Sequence, residues 1–398
     1  MDIQNFEDIR PYTDLEVSEA ISRLKKEPSF FKIMNWVFPD FNQRDILDML
    51  EGVNSTDDFQ VKISGPVFKV IAQRTTNGLT FSNLGRIKTD KPYLFLSNHR
   101  DIILDSSLLN MSLLERGYPT TQIAIGDNLL KNDMIYDLVR INKNFIVNRD
   151  INPREALLVS KRLSNYIRKT ITEDKNSIWI AHKEGRSKDG DDRTASALLK
   201  MLNLSYEGKN IEKGLKELRI IPTVVSYEFD PTDLIKANEL LTIKQTGNYE
   251  KEEKEDFYSM IKGVTGHKGR VNIAVGKLIT KDLKAVKHIS NKNKKLKELS
   301  ALIDQKMHLL YQLWPNNYIA YDWLNGTSKY KEKYSSIQKI SFKNYIRGKI
   351  VALWINRKKQ GHPRDGFTKE VREILLKMYA TPVANREKAL ESKLDVIL

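Results

Sequence analysis

Short apolar runs alternate with amphipathic stretches between about residues 90 and 280 of the chain. Apolar runs of this length, bounded by turn residues, predict buried strands. They lie at 92–98, 120–126, 144–150, the first part of 176–185, 218–229 and 270–279. Helical spacing appears in 106–116, which Gly117 follows, and in 153–171, which begins with Pro153. Strands that alternate with helices predict an α/β fold with a mostly parallel central sheet flanked by helices.

Helical periodicity dominates on both sides of this core. The helix candidates are 15–27, 45–50 and 66–76 before the core, where 31–41 is strongly apolar, and 296–314 and 337–359 after it. We therefore expect a helical N-terminal region (1–90), an α/β domain (91–280) and a helical, basic C-terminal region (281–398).

The composition excludes several kinds of chemistry. The chain has 398 residues and no cysteine, which rules out disulfides, thiolate nucleophiles and cysteine-ligated metal sites. The N-terminus lacks a basic start followed by an apolar stretch, and no apolar run reaches the length of about eighteen residues that spans a bilayer. We therefore expect a cytoplasmic protein that meets a membrane only at its surface.

The net charge of +15 favours anionic partners. Its most concentrated source is 337–359, which has seven basic residues and no acidic ones, with apolar side chains such as Ile340 and Trp354 among them. Two interpretations stay open: a solvated helix that packs on the core by its apolar residues, or a helix that lies on an anionic membrane. We expect no nucleic-acid partner, because no recognisable binding module accompanies the charge.

His99 follows an apolar strand candidate, with Asp101 and Asp105 close behind it. Histidine, with an ordinary pKa near about 6.5, is well suited to take a proton from an alcohol near neutral pH. A neighbouring carboxylate fixes its tautomer and stabilises its positive charge. Either aspartate could serve, and for an isolated His and Asp the alternative is a histidine bonded to the backbone and an aspartate that caps a helix.

A polar loop follows the strand candidate that begins at residue 176. In Glu184-Gly185-Arg186-Ser187-Lys188, the glycine allows close backbone approach to a ligand and the arginine offers a two-pronged donor to phosphate. Ser187 and Lys188 add donors, and Glu184 is expected to orient Arg186. The alternative is an ordinary polar turn.

Arg149 also follows a strand candidate. Ligands of α/β proteins gather at the carboxyl ends of strands, so His99, Arg149 and the loop 184–188 are expected to line one rim. The run 220–227 contains Pro222 and is either a core strand or the lining of a channel for an apolar chain.

Other catalytic motifs are missing from the sequence. It contains no G-x-S-x-G, no Walker loop and no G-x-G-x-x-G, and its histidines have no metal-ligand spacing. We therefore expect no metal site.

The ordered set of motifs resembles the glycerolipid acyltransferase family, which includes the glycerol-3-phosphate and 1-acylglycerol-3-phosphate acyltransferases. The motifs are Asn98-His99 with Asp105, then Arg149, then Glu184-Gly185-Arg186-Ser187, then Ile221-Pro222. The resemblance covers about 90–280.

The resemblance implies an α/β enzyme at the inner face of the cell membrane that uses an acyl thioester, acyl-CoA or acyl-ACP, as co-substrate, and no cofactor. It implies that His99 is the general base on the acceptor hydroxyl and that an aspartate pairs with it. It also implies that Arg149, Arg186 and Lys188 hold the phosphate of a glycerol acceptor. Acyl carrier protein is then a further potential partner.

Two spacings depart from the family pattern. Five residues separate His99 from Asp105 where the family usually has four. One extra residue in a regular helix rotates a side chain by about 100°, so Asp105 can reach His99 only across an irregular turn. The family's usual residue between the glycine and the arginine of the third motif is also missing at Gly185-Arg186.

Two alternatives stay open beside this hypothesis. One is an acyltransferase whose lipid acceptor lacks a phosphate, with the arginines binding a carboxylate. The other is a non-catalytic basic protein that binds membrane or nucleic acid and has a decayed motif.

Overall fold

Six of the seven strands in this protein fall within the apolar runs of the sequence. The computed structural model describes residues 2–149, 151–359, 361 and 365–392, so Asp150 at the end of the run 144–150 and the last residues of 281–398 lie outside the described residues. The strands are β1 (Leu79–Ser82), β2 (Leu94–Ser97), β3 (Thr121–Gly126), β4 (Asn144–Val147), β5 (Ser177–Ala181), β6 (Ile220–Tyr227) and β7 (Val271–Val275).

The helices lie before, between and after the strands. They are α1 (Asp14–Leu24), α2 (Pro28–Val37), α3 (Gln43–Leu50), α4 (Thr56–Phe59), α5 (Gly65–Thr75), α6 (Leu104–Leu114), α7 (Asp133–Ile141), α8 (Ala156–Thr172), α9 (Ser196–Leu202), α10 (Ile211–Glu217), α11 (Asp233–Thr246), α12 (Glu255–Thr265), α13 (Thr280–Ala285), α14 (Lys292–Leu310), α15 (Pro315–Asn325), α16 (Ser336–Lys358) and α17 (Phe367–Glu391). One π-helical turn, Gln60–Ser64, joins α4 to α5.

The strands form one sheet in the order β1-β7-β6-β2-β5-β3-β4. Every neighbouring pair is parallel except β6 with β7, so five strands share one direction and β7 and β1 run the other way. This confirms the predicted α/β fold with a mostly parallel sheet flanked by helices. It also places the carboxyl ends of β2, β3, β4, β5 and β6 at one edge.

The central strand β2 is buried on both faces, as expected for a parallel strand covered by helices. Leu94 and Leu96 pack into one apolar cluster with residues of α8, α9 and α14. Phe95 packs into a second cluster, with residues of α5 and α6 on the opposite face. Successive side chains of a strand point to opposite faces, so this short apolar run joins both layers of the core.

The run 220–227 is a core strand. All eight residues of β6 are buried, and Ile220 and Val224 lie in one apolar cluster while Ile221 and Val225 lie in the other. The alternative role, lining a channel for an apolar chain, has no support in this packing.

One strand lies inside the region predicted to be helical. β1 begins at Leu79 and pairs with β7 at the edge of the sheet, although residues 1–90 were expected to form helices. Its four residues are exposed or half-buried, so the strand has no contiguous apolar run that would distinguish it in the sequence. The limits proposed for the three regions of the chain, 1–90, 91–280 and 281–398, stay predictions.

The helices at the two ends of the chain have apolar clusters of their own. One cluster joins α1, α2, α3 and the π-helical turn to Ile141 of α7. The other joins α11 to α15, α16 and α17. Within the part of the chain that the structure describes, no helix combines the length and the apolar character needed to cross a membrane.

Candidate active site

His99 and Asp105 form the centre of the candidate site. His99 lies in the irregular turn that follows β2, and Asp105 lies in the first turn of α6. The Nδ1 atom of His99 is 2.9 Å from Oδ2 of Asp105, whose side chain is almost fully buried. The turn therefore brings the two residues together despite the extra position between them, and Asp105 is the carboxylate that pairs with His99.

Asp101, the other candidate partner, caps the turn. Its Oδ1 atom accepts the backbone N–H groups of Ile103 and Leu104, both at 2.9 Å. Burial, followed by the nearby charge of Asp105, raises the pKa of Asp101 above its ordinary value. Asp101 shapes the turn, and its carboxylate bonds to backbone rather than to His99.

Asp105 has four hydrogen-bond donors around its carboxylate. Its Oδ2 atom accepts the backbone N–H groups of Arg100 (2.6 Å) and Asp101 (3.0 Å) as well as facing His99. Its Oδ1 atom accepts the hydroxyl of Tyr227, at the end of β6, at 2.8 Å. Because the other three groups around this carboxylate are donors, Nδ1 of His99 is assigned as the donor in their pair, and Nε2 is left for substrate.

A second network of buried hydrogen bonds stabilises the same turn. The side-chain amide of Asn98 donates to Asp192 (3.1 Å) and to the carbonyl of Val225 (3.0 Å), and Arg100 donates to Asp192 at 2.7 Å. Burial would raise the pKa of Asp192, but the charge of Arg100 lowers it overall. Lys236 of α11 donates to the carbonyl of Arg100 at 2.8 Å. These contacts fix the backbone on both sides of His99.

The loop 184–188 lies beside His99. The backbone N–H of Ser187 donates to the carbonyl of His99 at 2.8 Å. Gly185 has a φ of +73°, a conformation that side chains disfavour, so the loop needs glycine at this position. The hydroxyl of Ser187 donates to the carbonyl of Asp191 at 3.3 Å and is buried. Ser187 therefore stabilises the loop itself and does not face outward.

The three cations expected to hold phosphate are paired with carboxylates. Arg149 donates to Glu184 at 2.7 Å, Arg186 lies 3.8 Å from Asp256, and Lys188 contacts Glu239. The expectation that Glu184 orients Arg186 is wrong, because Glu184 bonds Arg149 instead. Sequence reasoning missed five residues that contact the predicted site residues or the turn around His99: Tyr227, Asp192, Lys236, Glu239 and Asp256.

Arg186 is the most enclosed of these cations. Only 9% of its side chain is exposed, and its Nη1 atom is buried without a hydrogen-bond partner among the described residues. A buried unpaired guanidinium nitrogen is costly and points to a ligand that satisfies it.

His182, four positions earlier in the chain, also has buried nitrogen atoms that lack a partner within the described ranges. Both of its ring nitrogens are of this kind, and burial lowers its pKa to about 4. Among the residues with a described position, no group of three or more His, Cys, Asp or Glu side chains is arranged to hold a metal ion.

Comparison with known proteins agrees with this geometry. A family model described as Acyltransferase matches residues 78–221, a segment that contains His99, Asp105, Arg149 and the loop 184–188. Residues 78–221 are therefore an acyltransferase domain, and the protein is an acyltransferase. The family match bears out the resemblance to an acyltransferase that the ordered motifs indicated.

One solved structure with similarity to this chain is the 1-acyl-sn-glycerophosphate (LPA) acyltransferase PlsC from Thermotoga maritima. It has 12% sequence identity and a TM-score of 0.33, with 74% of this chain and 95% of that chain covered. No curated protein sequence matches this chain.

Proposed function

We propose that this protein transfers a fatty acyl group from a thioester to a hydroxyl of a phosphorylated glycerol, either glycerol 3-phosphate or 1-acylglycerol 3-phosphate. The observation that carries the proposal is the pairing of His99 with Asp105 next to the loop that holds Arg186. A base and an anion-binding arginine lie on adjacent segments, as a phosphorylated alcohol requires.

His99 acts as the general base. With Nδ1 bonded to Asp105, its Nε2 atom takes the proton of the acceptor hydroxyl, and the oxygen attacks the thioester carbonyl. The tetrahedral intermediate then expels the thiolate, which recovers the proton from Nε2. One ester bond forms, one thioester bond breaks, and Asp105 stabilises the transient imidazolium throughout.

Arg186 is the main contact for the acceptor phosphate. Its buried, unpartnered Nη1 atom supplies a charge-assisted donor where water is scarce, which strengthens the bond. Arg149 and Lys188 are proposed as further contacts for the phosphate, although each is paired with a carboxylate while the site is empty. The co-substrate is acyl-CoA or acyl-ACP, and the chemistry needs no further cofactor.

The basic helix α16 is proposed to hold the enzyme on an anionic membrane, at the inner face of the cell membrane. Its inward face buries Phe342, Ile346 and Ile350, whereas Ile337 and Ile340 on its outer face are 79% and 60% exposed. Exposed lysines and arginines flank this outer stripe: Lys339, Lys343, Arg347 and Lys358. Apolar residues amid unneutralised basic charge are typical of a helix that lies in the headgroup region.

This helix is joined to the catalytic turn through α11. The Nζ atom of Lys349 donates to Asp233, the first residue of α11, at 2.6 Å. One turn later in α11, Lys236 donates to the carbonyl of Arg100, next to His99. A membrane bound by α16 would therefore lie beside the pair of helices α16 and α11, of which α11 contacts the candidate site.

An acceptor screen tests the phosphate requirement. Wild-type protein is assayed with glycerol 3-phosphate, 1-acylglycerol 3-phosphate and matched lipids that lack a phosphate, beside Arg186→Ala and the control Arg193→Ala. We expect product only with a phosphorylated acceptor. Arg186→Ala should raise the acceptor KM by about tenfold or more, the loss of one charge-assisted hydrogen bond, while Arg193→Ala leaves it unchanged.

Efficient transfer to an acceptor without phosphate would contradict this acceptor class and favour a carboxylate-bearing lipid. An acyltransferase whose acceptor KM is insensitive to Arg186→Ala would place the anion site elsewhere.

A further inference from the structure

The cations of the acceptor site are charge-compensated before any substrate binds. Each of the three, Arg149, Arg186 and Lys188, has one carboxylate as its partner in the structure. Glu184 and Glu239 each offset one cation, whereas the single charge of Asp256 is shared between Arg186 and Lys251. An incoming anion does not meet a bare positive pocket, and it must take at least one cation from a carboxylate already in place.

The three pairs differ in how readily they can exchange. The carboxylate of Glu239 is 9% exposed and that of Glu184 is 81% exposed, and both make direct hydrogen bonds to their cations. Asp256 is different, because its Oδ1 atom lies 3.8 Å from Nη2 of Arg186, beyond hydrogen-bonding distance. The shortest bond of Asp256 is to Lys251, at 2.7 Å.

Asp256 therefore offsets only part of the charge of Arg186 and makes no hydrogen bond to it. Its Nη1 atom stays buried and unbonded although a carboxylate is near. Asp256 also accepts the amide of Asn128 at 3.3 Å, so it keeps Lys251 and Asn128 as partners if Arg186 turns to another anion. If an anion displaces Asp256 from Arg186, the Asp256 carboxylate therefore still has hydrogen-bond partners.

We propose that Asp256 is a displaceable counter-ion of Arg186. The inference rests on the proposed function and specifies how its acceptor binds. Asp256 lies beside Arg186 when the site is empty, and the acceptor phosphate replaces it there.

The displacement of Asp256 by a phosphate monoester follows from charge. A phosphate monoester carries between about −1.5 and −2 charges at pH 7, because its second pKa is about 6. A carboxylate or a phosphate diester carries one charge, the same as the tethered Asp256 it would displace. Exchange of Asp256 for a single charge gains little, whereas exchange for a dianion with three acceptor oxygens gains both charge and hydrogen bonds.

The test compares Asp256→Asn with Glu253→Gln. Glu253 is exposed and lies three positions earlier, so its substitution removes the same charge from the same segment without touching Arg186. The dissociation constants of glycerol 3-phosphate and glycerate, a carboxylate with the same two hydroxyls, are measured by calorimetry for both variants and wild type at pH 7.5.

We expect wild type and Glu253→Gln to prefer glycerol 3-phosphate strongly. In Asp256→Asn both anions should bind more tightly, each by about fivefold, the scale of one partly exposed ion pair, because either anion must displace Asp256 from Arg186. Melting temperatures near that of wild type confirm that the variants are folded.

Three results would overturn the inference or what it rests on. If the wild-type enzyme acylates phosphorylated glycerol, either an unchanged or a weakened affinity of Asp256→Asn for glycerol 3-phosphate would contradict the counter-ion role alone. A wild-type protein that neither binds nor acylates a phosphorylated glycerol would contradict the proposed function as well.

Discussion

The hydroxyl of Tyr227 occupies the one oxygen of Asp105 that neither His99 nor the backbone uses. Without this bond, Oδ1 of a buried carboxylate would be left unsatisfied and free to rotate away from the geometry that orients His99. Tyr227 is therefore a positioning residue that acts through Asp105, and its loss should affect turnover rather than acceptor binding.

Tyr227→Phe should lower kcat by about tenfold, the loss of one hydrogen bond to a charged group, with the acceptor KM unchanged. Tyr93→Phe is the matched control. Tyr93 is equally buried, and its hydroxyl accepts the backbone N–H of Lys88 before β2, at the other end of that strand from His99. Equal losses of activity in the two variants would mean that Tyr227 has only a structural role.

At the scale of secondary structure, a glycine of α12 lies against the catalytic turn. A Cβ atom built on Gly263 would lie 2.0 Å from Oδ2 of Asp101, the residue that caps the turn. The glycine thus lets α12 pack directly against the segment that carries His99.

Gly263→Ala should destabilise the protein by about 1–3 kcal/mol and reduce activity, because either α12 or the capped turn must shift. Gly348→Ala on α16, where a Cβ would meet nothing within 4 Å, should stabilise by up to about 1 kcal/mol through helix propensity alone. Denaturant unfolding and acyl-transfer assays on both variants provide the check. A Gly263→Ala protein with wild-type stability and rate would contradict the close packing of α12.

The elements that sequence patterns predict well are those whose signal is local. β2 and β6 follow from contiguous apolar runs, and the irregular turn follows from the spacing between His99 and Asp105. β1 lacks such a run and exists through its pairing with β7, about 190 residues later.

The partners of the site residues could not be predicted in the same way. Asp192 lies 94 positions from Asn98, and Tyr227 lies 122 positions from Asp105. Only the folded sheet brings them together. Tyr227 had one usable signal, since the period of two along β6 places it on the face of Ile221 and Val225, the same face as α6.

At the scale of the whole molecule, the net charge of +15 is expressed most strongly on α16. We expect the protein to sediment with vesicles that contain anionic lipid and to be released by salt, because the attraction is partly electrostatic. Ile340→Glu should weaken this binding, since Ile340 is exposed on the outer stripe, without a change in melting temperature.

The exposed Leu157 of α8 is the control for that substitution, as Leu157→Glu adds the same charge on a different helix. Equal loss of vesicle binding in both variants would indicate a charge effect that is not specific to α16. Binding to neutral and anionic vesicles with equal strength would contradict the electrostatic account.

The most direct test of the central claim is acyl transfer by wild type and His99→Ala, from labelled acyl-CoA and acyl-ACP to glycerol 3-phosphate and 1-acylglycerol 3-phosphate. We predict that wild type forms product with at least one donor and acceptor pair. In His99→Ala, kcat should fall by about 10²–10⁴-fold, the usual contribution of a general base, while the melting temperature is retained. A folded His99→Ala protein that turns over at the wild-type rate would contradict the account.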